Sequence, residues 1–551
     1  MTNQSGGGRK RAVSAGEGRP SAFQRLAKPL DPAKAYTGGK LTRPAFISLA
    51  TLTFITFLGN FTQLQLSAAL PTIVNEFGIN VTTGQWMTSI FQLVMGVMVP
   101  LTAFLTRRFS ARQIVLSSMA IFIIGSVLSW LGPTFGLVLL GRTLEAMGTG
   151  VMWPVLQITV FTLFPLSRRG LAMGTVGVAM AVAPALGPTF GGWQTDSHGW
   201  RSIFFGLALV GLLALVLGFF ALRNIGENDK EARADFFSVG LSVFGFGGLM
   251  FGFTNIESYP FLHPLVWAPM LIGLVGIVWF VLRQLAMARR FELATQEGKG
   301  GAEPPLLDLG VLKNRYFRTG TIVASLSFFA FSSITVIIPL YIQNDRGFSA
   351  TMSGLIMLPG AFGQCIAQFL GGRMLDRFGA RPVALVGTSI LFIGTVMMSM
   401  IDMNTWIWWV SICQFTRQIG MGFTLMPVTT WSLNCLEPDE VSAGSAVTNT
   451  ARQIAGAVGA PILVILMALF QRLRLQSLGG SRSLVIVSSV FAVEWVLRIS
   501  ALIALIMVLM VLFGVKGEGA GSSHDLARRA IARARREMGG FQHHHDHHVI
   551  Q

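Results

Sequence analysis

The chain has 551 residues, 52% of them hydrophobic and only 12% charged, against roughly 25% charged in soluble globular proteins. Lysine and arginine outnumber the acids 42 to 25. The excess sits in loops and tails that alternate along the chain, which is the positive-inside pattern of a membrane protein and argues against a nucleic-acid partner. The three cysteines, Cys365, Cys413 and Cys435, lie within or at the ends of apolar runs, so neither a disulfide scaffold nor a thiolate zinc framework is expected.

In chain order, residues 1–45 hold nine Lys or Arg and two acids among many Gly, Ser and Pro, with no apolar stretch of signal-peptide type. They are predicted to be a disordered basic cytoplasmic arm. About fourteen mostly apolar runs follow, each able to cross a hydrocarbon core of ~30 Å at ~1.5 Å per residue. They fall near 46–74, 84–105, 113–132, 135–163, 170–193, 202–222, 236–255, 263–288, 316–343, 351–370, 382–401, 405–433, 445–471 and 497–514. The reading is an all-α polytopic membrane protein: a six-helix bundle over 46–222, an inserted helix pair with a hydrophilic loop over 223–315, and a second six-helix bundle over 316–514.

Arg107, Arg108 and Arg112, then Arg168 and Arg169, Arg289 and Arg290, and Arg373, Arg377 and Arg381 all follow even-numbered spans. Both termini are therefore expected in the cytoplasm, with the protein multi-pass in the cell membrane. The segment 472–496 breaks the pattern with Arg472, Arg474 and Arg482. Its stretch SLVIVSSVFAVEW could be an interfacial or re-entrant segment, which leaves the helix count near 472–514 open. The tail 515–551 is basic and ends in HHHDHH, where His543, His544, His545, His547 and His548 form a weak candidate for a transition metal. A solvated tail is the plainer alternative, and no cofactor is expected.

Two hairpins rhyme. LTRRFSAR (105–112) and GGRMLDRFGAR (371–381) each join two spans, and each is followed by an arginine inside a later span, Arg142 and Arg417. Parallel repeats of this kind build transporters with a substrate site between the halves. Glu145 lies about 15 Å deep if its span enters near Phe135, and a charge there faces a cavity or a partner. Arg142 precedes it by three residues on the same helix face. An acid held between burial and an adjacent arginine can exchange a proton when that pairing changes. The alternatives are a permanent structural pair or direct substrate contact. Arg417 could meet an anionic substrate group or backbone carbonyls. No GxxxxGK[ST] occurs, which disfavours an ATP-driven pump.

Span five carries AVAPALGPTFGG, whose Gly187, Pro188, Gly191 and Gly192 fit the antiporter motif GPxxGG. Gly372, Asp376, Arg377, Gly379 and Arg381 fit a cytoplasmic loop motif, and Arg142, Glu145, Gly148 and Gly150 fit RxxQGxG with Glu for Gln. With Trp86, Ala69-Leu70-Pro71-Thr72, Asn449 and Arg452, the chain over roughly 46–514 resembles the major facilitator superfamily, specifically its fourteen-spanner drug:proton antiporters. It departs from that pattern at Arg107 and Ser110, where Asp and Gly are usual, and at Thr62, where many members carry an acid.

The resemblance implies a major facilitator fold and a proton-coupled exporter of lipophilic or amphipathic small molecules, not an enzyme. Its expected partners are the substrate, protons and the lipid bilayer, and it is expected to act as a monomer. It further implies proton coupling at Glu145 and Arg142 and a conformational latch at Asp376, Arg377, Arg381, Gly372 and Gly379. A substrate cavity is drawn from Asn60, Thr62, Gln65, Trp153, Gln157 and Arg417. A dedicated transporter of one metabolite and a non-transporting membrane sensor or scaffold are the alternatives.

Overall fold

Apolar runs of this length satisfy their backbone hydrogen bonds within a membrane only as helices. The computed structural model describes residues 28–79, 84, 86–226, 235–256, 259–302, 304–348, 350–516, 528–529 and 531–535. Each of the fourteen predicted runs falls on helix. The first half comprises α1 (Arg43–Gln65), α2 (Leu70–Phe77), α3 (Trp86–Arg108), α4 (Ala111–Leu131), α5 (Phe135–Thr149), α6 (Met152–Leu163), α7 (Arg169–His198) and α8 (Arg201–Phe220). The inserted pair is α9 (Phe236–Asn255) and α10 (Pro264–Gln296). The second half comprises α11 (Arg315–Leu340), α12 (Ala350–Phe378), α13 (Ala380–Met398), α14 (Ile407–Asn434), α15 (Val441–Ser477) and α16 (Val485–Gly514).

Among the described residues ten helical segments are long and apolar enough to cross a membrane. α3 contributes a shorter apolar stretch, Ile90–Thr102, and α11, α14 and α15 are not among the ten. A helix packed on protein can carry polar groups that a lipid-facing one cannot, and α14 buries Gln414, Arg417, Gln418, Thr424, Thr429 and Thr430.

Two predicted spans are broken by identifiable chemistry. After α1 the chain tightens into a 3₁₀ turn, Leu66–Ala69, and α2 resumes with Pro71 in its first turn, where the missing N–H costs nothing. The fourth span breaks between α5 and α6 at Gly150–Val151, just before Pro154, which cannot donate back along the helix.

The halves meet along two seams, α7 against α12 and α3 against α15. The inserted pair packs on α3 and α15, so it covers one seam. α9 and α10 touch nearly backbone to backbone: a Cβ on Gly245, Gly248, Gly273 or Gly276 would meet main-chain atoms of the partner helix. The first residue of α1 and the last of α16, together with the hairpins at 109–110 and 379, lie at one end of the molecule. That end carries Arg43, Arg107, Arg108, Arg169, Arg377 and Arg381 and is termed the basic end below.

The structure corrects two expectations. Of the basic arm expected over 1–45, residues 28–45 are ordered and 1–27 lie outside the described residues. Leu30 N–H donates to Asn224 O at 2.6 Å, Gly226 N–H donates to Leu30 O at 2.9 Å, and Ala35 and Ala45 pack on Leu163. Backbone pairing and a small apolar cluster outweigh the polar composition there. Residues 485–496 are neither re-entrant nor interfacial as a separate piece, because α16 is continuous from Val485 and α15 continues to Ser477. Within this 30-residue helix Glu494 and Arg498 pair across one turn at 3.9 Å. His543–His548 lie outside the described residues. In the tail, 528–529 and 531–535 are helical.

Candidate functional site

The break after α1 creates the first site. Carbonyls at a helix C-terminus lack intrahelical donors and carry the negative end of the dipole. Arg142 of α5 fills that role. Its Nη1 donates to Thr62 O at 3.0 Å, its Nη2 to Gln63 O at 3.1 Å, and its Nε to Met87 O in the first turn of α3 at 3.1 Å. Its guanidinium lies 4.2 Å from the centroid of the Phe91 ring. Nη1 also reaches Glu145 Oε2 at 3.2 Å, while Glu145 Oε1 accepts from Ser126 Oγ of α4 at 2.9 Å. Both charged side chains are fully buried. The buried acids of the described residues are Glu145, Asp235 and Asp376, and only Glu145 sits in mid-span. Four helices thus converge on one ion pair, and α4 reaches it because Gly125 and Gly141 let α4 and α5 meet at the backbone.

Thr62 joins this cluster through its carbonyl, and Gln65 lies at the contact of α1 with α7. The Thr62 hydroxyl donates to Leu58 O at 2.7 Å, and Gln65 Nε2 donates to Gln194 Oε1 at 2.5 Å. Gly191 explains that second contact. A Cβ there would strike the Gln65 carbonyl, so α7 can lie on α1 only with glycine at this position. α7 runs as one helix through Gly187–Gly192; Gly187 is buried and Gly192 half-buried. Asn60 Nδ2 donates to Met180 Sδ at 3.2 Å, also across α1 and α7.

A second site joins the two halves. Gln157 of α6 is fully buried, and its Oε1 accepts from Ser445 Oγ at 2.6 Å and Asn449 Nδ2 at 3.0 Å, both on α15. Asn449 Oδ1 accepts from Arg452 Nη1 at 3.3 Å, and Arg452 lies 4.4 Å from the Phe328 ring centroid. Trp153, one turn before Gln157, is half-buried. Arg417 is placed differently. It points at α13, donating from Nε to Thr395 Oγ1 at 3.0 Å and from Nη1 to Gln414 Oε1 at 2.9 Å, with Gly394 packed on its stem.

The third site is at the basic end. Asp376 at the foot of α12 accepts from Gly170 N–H at 3.0 Å and Leu171 N–H at 2.8 Å in the first turn of α7. A carboxylate there satisfies two orphan donors and sits at the positive end of the helix dipole. Gly372 and Gly170 allow the approach, since a Cβ on either would strike the other's neighbourhood. Gly379 holds φ +90° to start α13, whereas Ser110 at the equivalent turn has φ −71° and caps α4 with a hydroxyl and Gln113. Arg381 donates to Leu512 O at 3.1 Å, and Arg377 lies 5.1 Å from the centroid of the Phe378 ring. Thr106 and Ser442 (2.9 Å) and Arg169 and Asn434 (3.2 Å) add further bridges between the halves.

Sequence reasoning missed Ser126, Met87 and Ser445. Ser126 has a legible signal, the small and polar face Ser118–Gly125–Ser126–Ser129 in an otherwise apolar helix. Met87 contributes only a carbonyl, which no side-chain pattern can mark.

The Major Facilitator Superfamily model matches residues 49–254 and 236–460. The MFS-type transporter YhcA of Bacillus subtilis is 34% identical over 407 residues, 74% of this chain and 74% of that protein. The lincomycin resistance protein LmrB of Bacillus subtilis is 31% identical over 427 residues, 77% of this chain and 85% of that protein. Among solved structures, the human organic anion transporter MFSD10 superimposes with a TM-score of 0.61 at 13% identity, over 85% of this chain and all of that one. With its two bundles, inserted pair and seams between halves, this multi-pass membrane protein belongs to the Major Facilitator Superfamily of transporters.

Proposed function

We propose that the protein is a proton-coupled exporter of lipophilic or amphipathic small molecules in the cell membrane, with both termini in the cytoplasm. The fully buried Arg142–Glu145 pair carries this reading. Relatives named for drug resistance, LmrB among them, support its export half. Neutralising Glu145 removes the anion that opposes Arg142 and leaves the guanidinium to the α1 and α3 carbonyls alone. A proton can thereby change how α5 holds the broken first span, and substrate access with it. The bridges from Asp376, Gln157 and Thr106 join the halves toward the basic end. In this reading that end is cytoplasmic and the conformer is closed on the cytoplasmic side.

The test uses proteoliposomes with an imposed pH gradient. Glu145→Gln should abolish uphill transport while downhill exchange persists. Full uphill transport by the variant would remove Glu145 as the proton carrier.

A further inference from the structure

The bond pattern of the second site leaves three buried donors without acceptors. Arg452 donates to Asn449 Oδ1, which fixes the Asn449 amide so that its Nδ2 turns to Gln157 Oε1. Gln157 Oε1 also takes the Ser445 hydroxyl, so the Gln157 amide is fixed in turn. Its Nε2 is then buried with no hydrogen-bond partner, as are Arg452 Nε and Trp153 Nε1. Arg452 is 93% buried and, unlike Arg142, takes part in no ion pair among the described residues. A buried donor without an acceptor is costly, and a buried cation without an anion more so.

The three groups share one level of the molecule. α6 runs toward the basic end and α15 away from it, and they touch at Gln157–Asn449. One turn further from the basic end, α6 presents Trp153 and α15 presents Arg452, on the faces that carry Gln157 and Asn449. Phe328 lies against the Arg452 guanidinium and Trp153 packs on buried apolar side chains, so each of these donors has hydrocarbon beside it.

We propose that Arg452, Trp153 and Gln157 form a headgroup site for a lipophilic oxyanion, a carboxylate above all. Its oxygens would take the indole and amide N–H groups while the guanidinium supplies the charge and Phe328 backs it. A carboxylate offers about four acceptor positions and no donor, which matches a cluster of donors without acceptors. This rests on the export reading for its physiological sense, but binding requires neither a gradient nor Glu145.

The experiment measures displacement of labelled laurate from the purified full chain in phosphatidylcholine nanodiscs, at equilibrium, by laurate and by methyl laurate. The wild type should bind laurate at least ~10-fold tighter than the ester, the range of one charge-assisted hydrogen bond. Arg452→Gln should bring the two affinities together, Arg452→Lys should keep part of the difference, and Trp153→Phe should reduce it several-fold. The measurement is made at equilibrium without a gradient, so a failure of the proton reading leaves this result untouched. Equal affinities in the wild type would overturn the proposal, as would a preference that survives Arg452→Gln. If Arg452→Gln does not fold, Trp153→Phe decides through the ratio of the two affinities, because the smaller ring weakens laurate and its ester alike and only the lost N–H discriminates between them: an unchanged preference there overturns the proposal.

Discussion

Arg142 makes four hydrogen bonds inside the membrane, three of them to carbonyls on other helices, so its charge is spread over α1, α3 and its own helix. Removing one partner of a buried pair leaves an uncompensated charge and typically costs ~3–5 kcal/mol, whereas replacing both can be close to neutral. Arg142→Met should therefore lower the thermal midpoint far more than Glu145→Gln. The double variant Arg142→Met with Glu145→Gln should recover much of the loss. Melting curves of the four proteins in one detergent form the cycle, and strictly additive losses would show that the pair is not coupled. The pair itself was legible from its i, i+3 spacing within an apolar run. Its partners were not, because two of the three carbonyls become available only through the 3₁₀ turn after α1, which is a backbone event. Arg417 shows the converse: a similar sequence context left its direction undetermined, and packing against Gly394 turned it to Thr395.

At the level of elements, the loop motif reads as two solutions to one turn. Gly379 begins α13 from a left-handed backbone position, and Ser110 begins α4 with a side-chain cap, so the loss of glycine in the first copy is compensated locally. Asp376 is not duplicated in that way, since Arg107 stands at the matching place. Its carboxylate caps α7 of the opposite half, and we propose that the cap is released when the basic end opens. Asp376→Asn retains one acceptor and loses the charge, a change of about 1–3 kcal/mol for a hydrogen bond to an ionised group. The closed state should lose roughly 5- to 150-fold in population. Paired-label distances between the feet of α7 and α12 should lengthen in Asp376→Asn and stay unchanged in Arg107→Ala. Equal opening in both variants, or none in the first, would refute a role for this cap. The sequence announced the acid and its glycines but could not name α7 as the partner, because the contact spans more than 200 residues and depends on how the halves dock. Asp235 is a contrasting acid at the head of α9. Burial opposes its charge, yet bonds from Arg283 (2.7 Å) and Ser238 (2.6 Å) hold its pKa below the ordinary value, so it stays ionised and pins the inserted pair.

For the whole molecule, the sign of the substrate decides how much work the membrane potential performs. The all-helical, multi-pass character and the places of the helical runs could be read from the sequence, since each follows from local hydropathy. The conformational state could not, because it depends on contacts such as Gln157–Asn449 that lie nearly 300 residues apart. Moving one elementary charge through 100 mV is worth about 2.3 kcal/mol, and each tenfold ratio about 1.36 kcal/mol. One proton entering in exchange for a neutral molecule therefore supports roughly a 50-fold outward gradient per 100 mV. If the molecule is a monoanion held at Arg452, its exit moves a second charge in the favourable direction. The same potential then supports roughly a 2,000-fold gradient for a one-proton exchange. Proteoliposomes with a potassium diffusion potential set by valinomycin and equal pH on both sides separate the two cases. A membrane-impermeant aromatic sulfonate should accumulate with twice the logarithmic dependence on potential shown by a neutral amide of the same ring system. Arg452→Gln should abolish sulfonate transport. Equal slopes for the two compounds in the wild type would mean that the anion crosses with a compensating second cation, and the one-proton exchange would have to be abandoned.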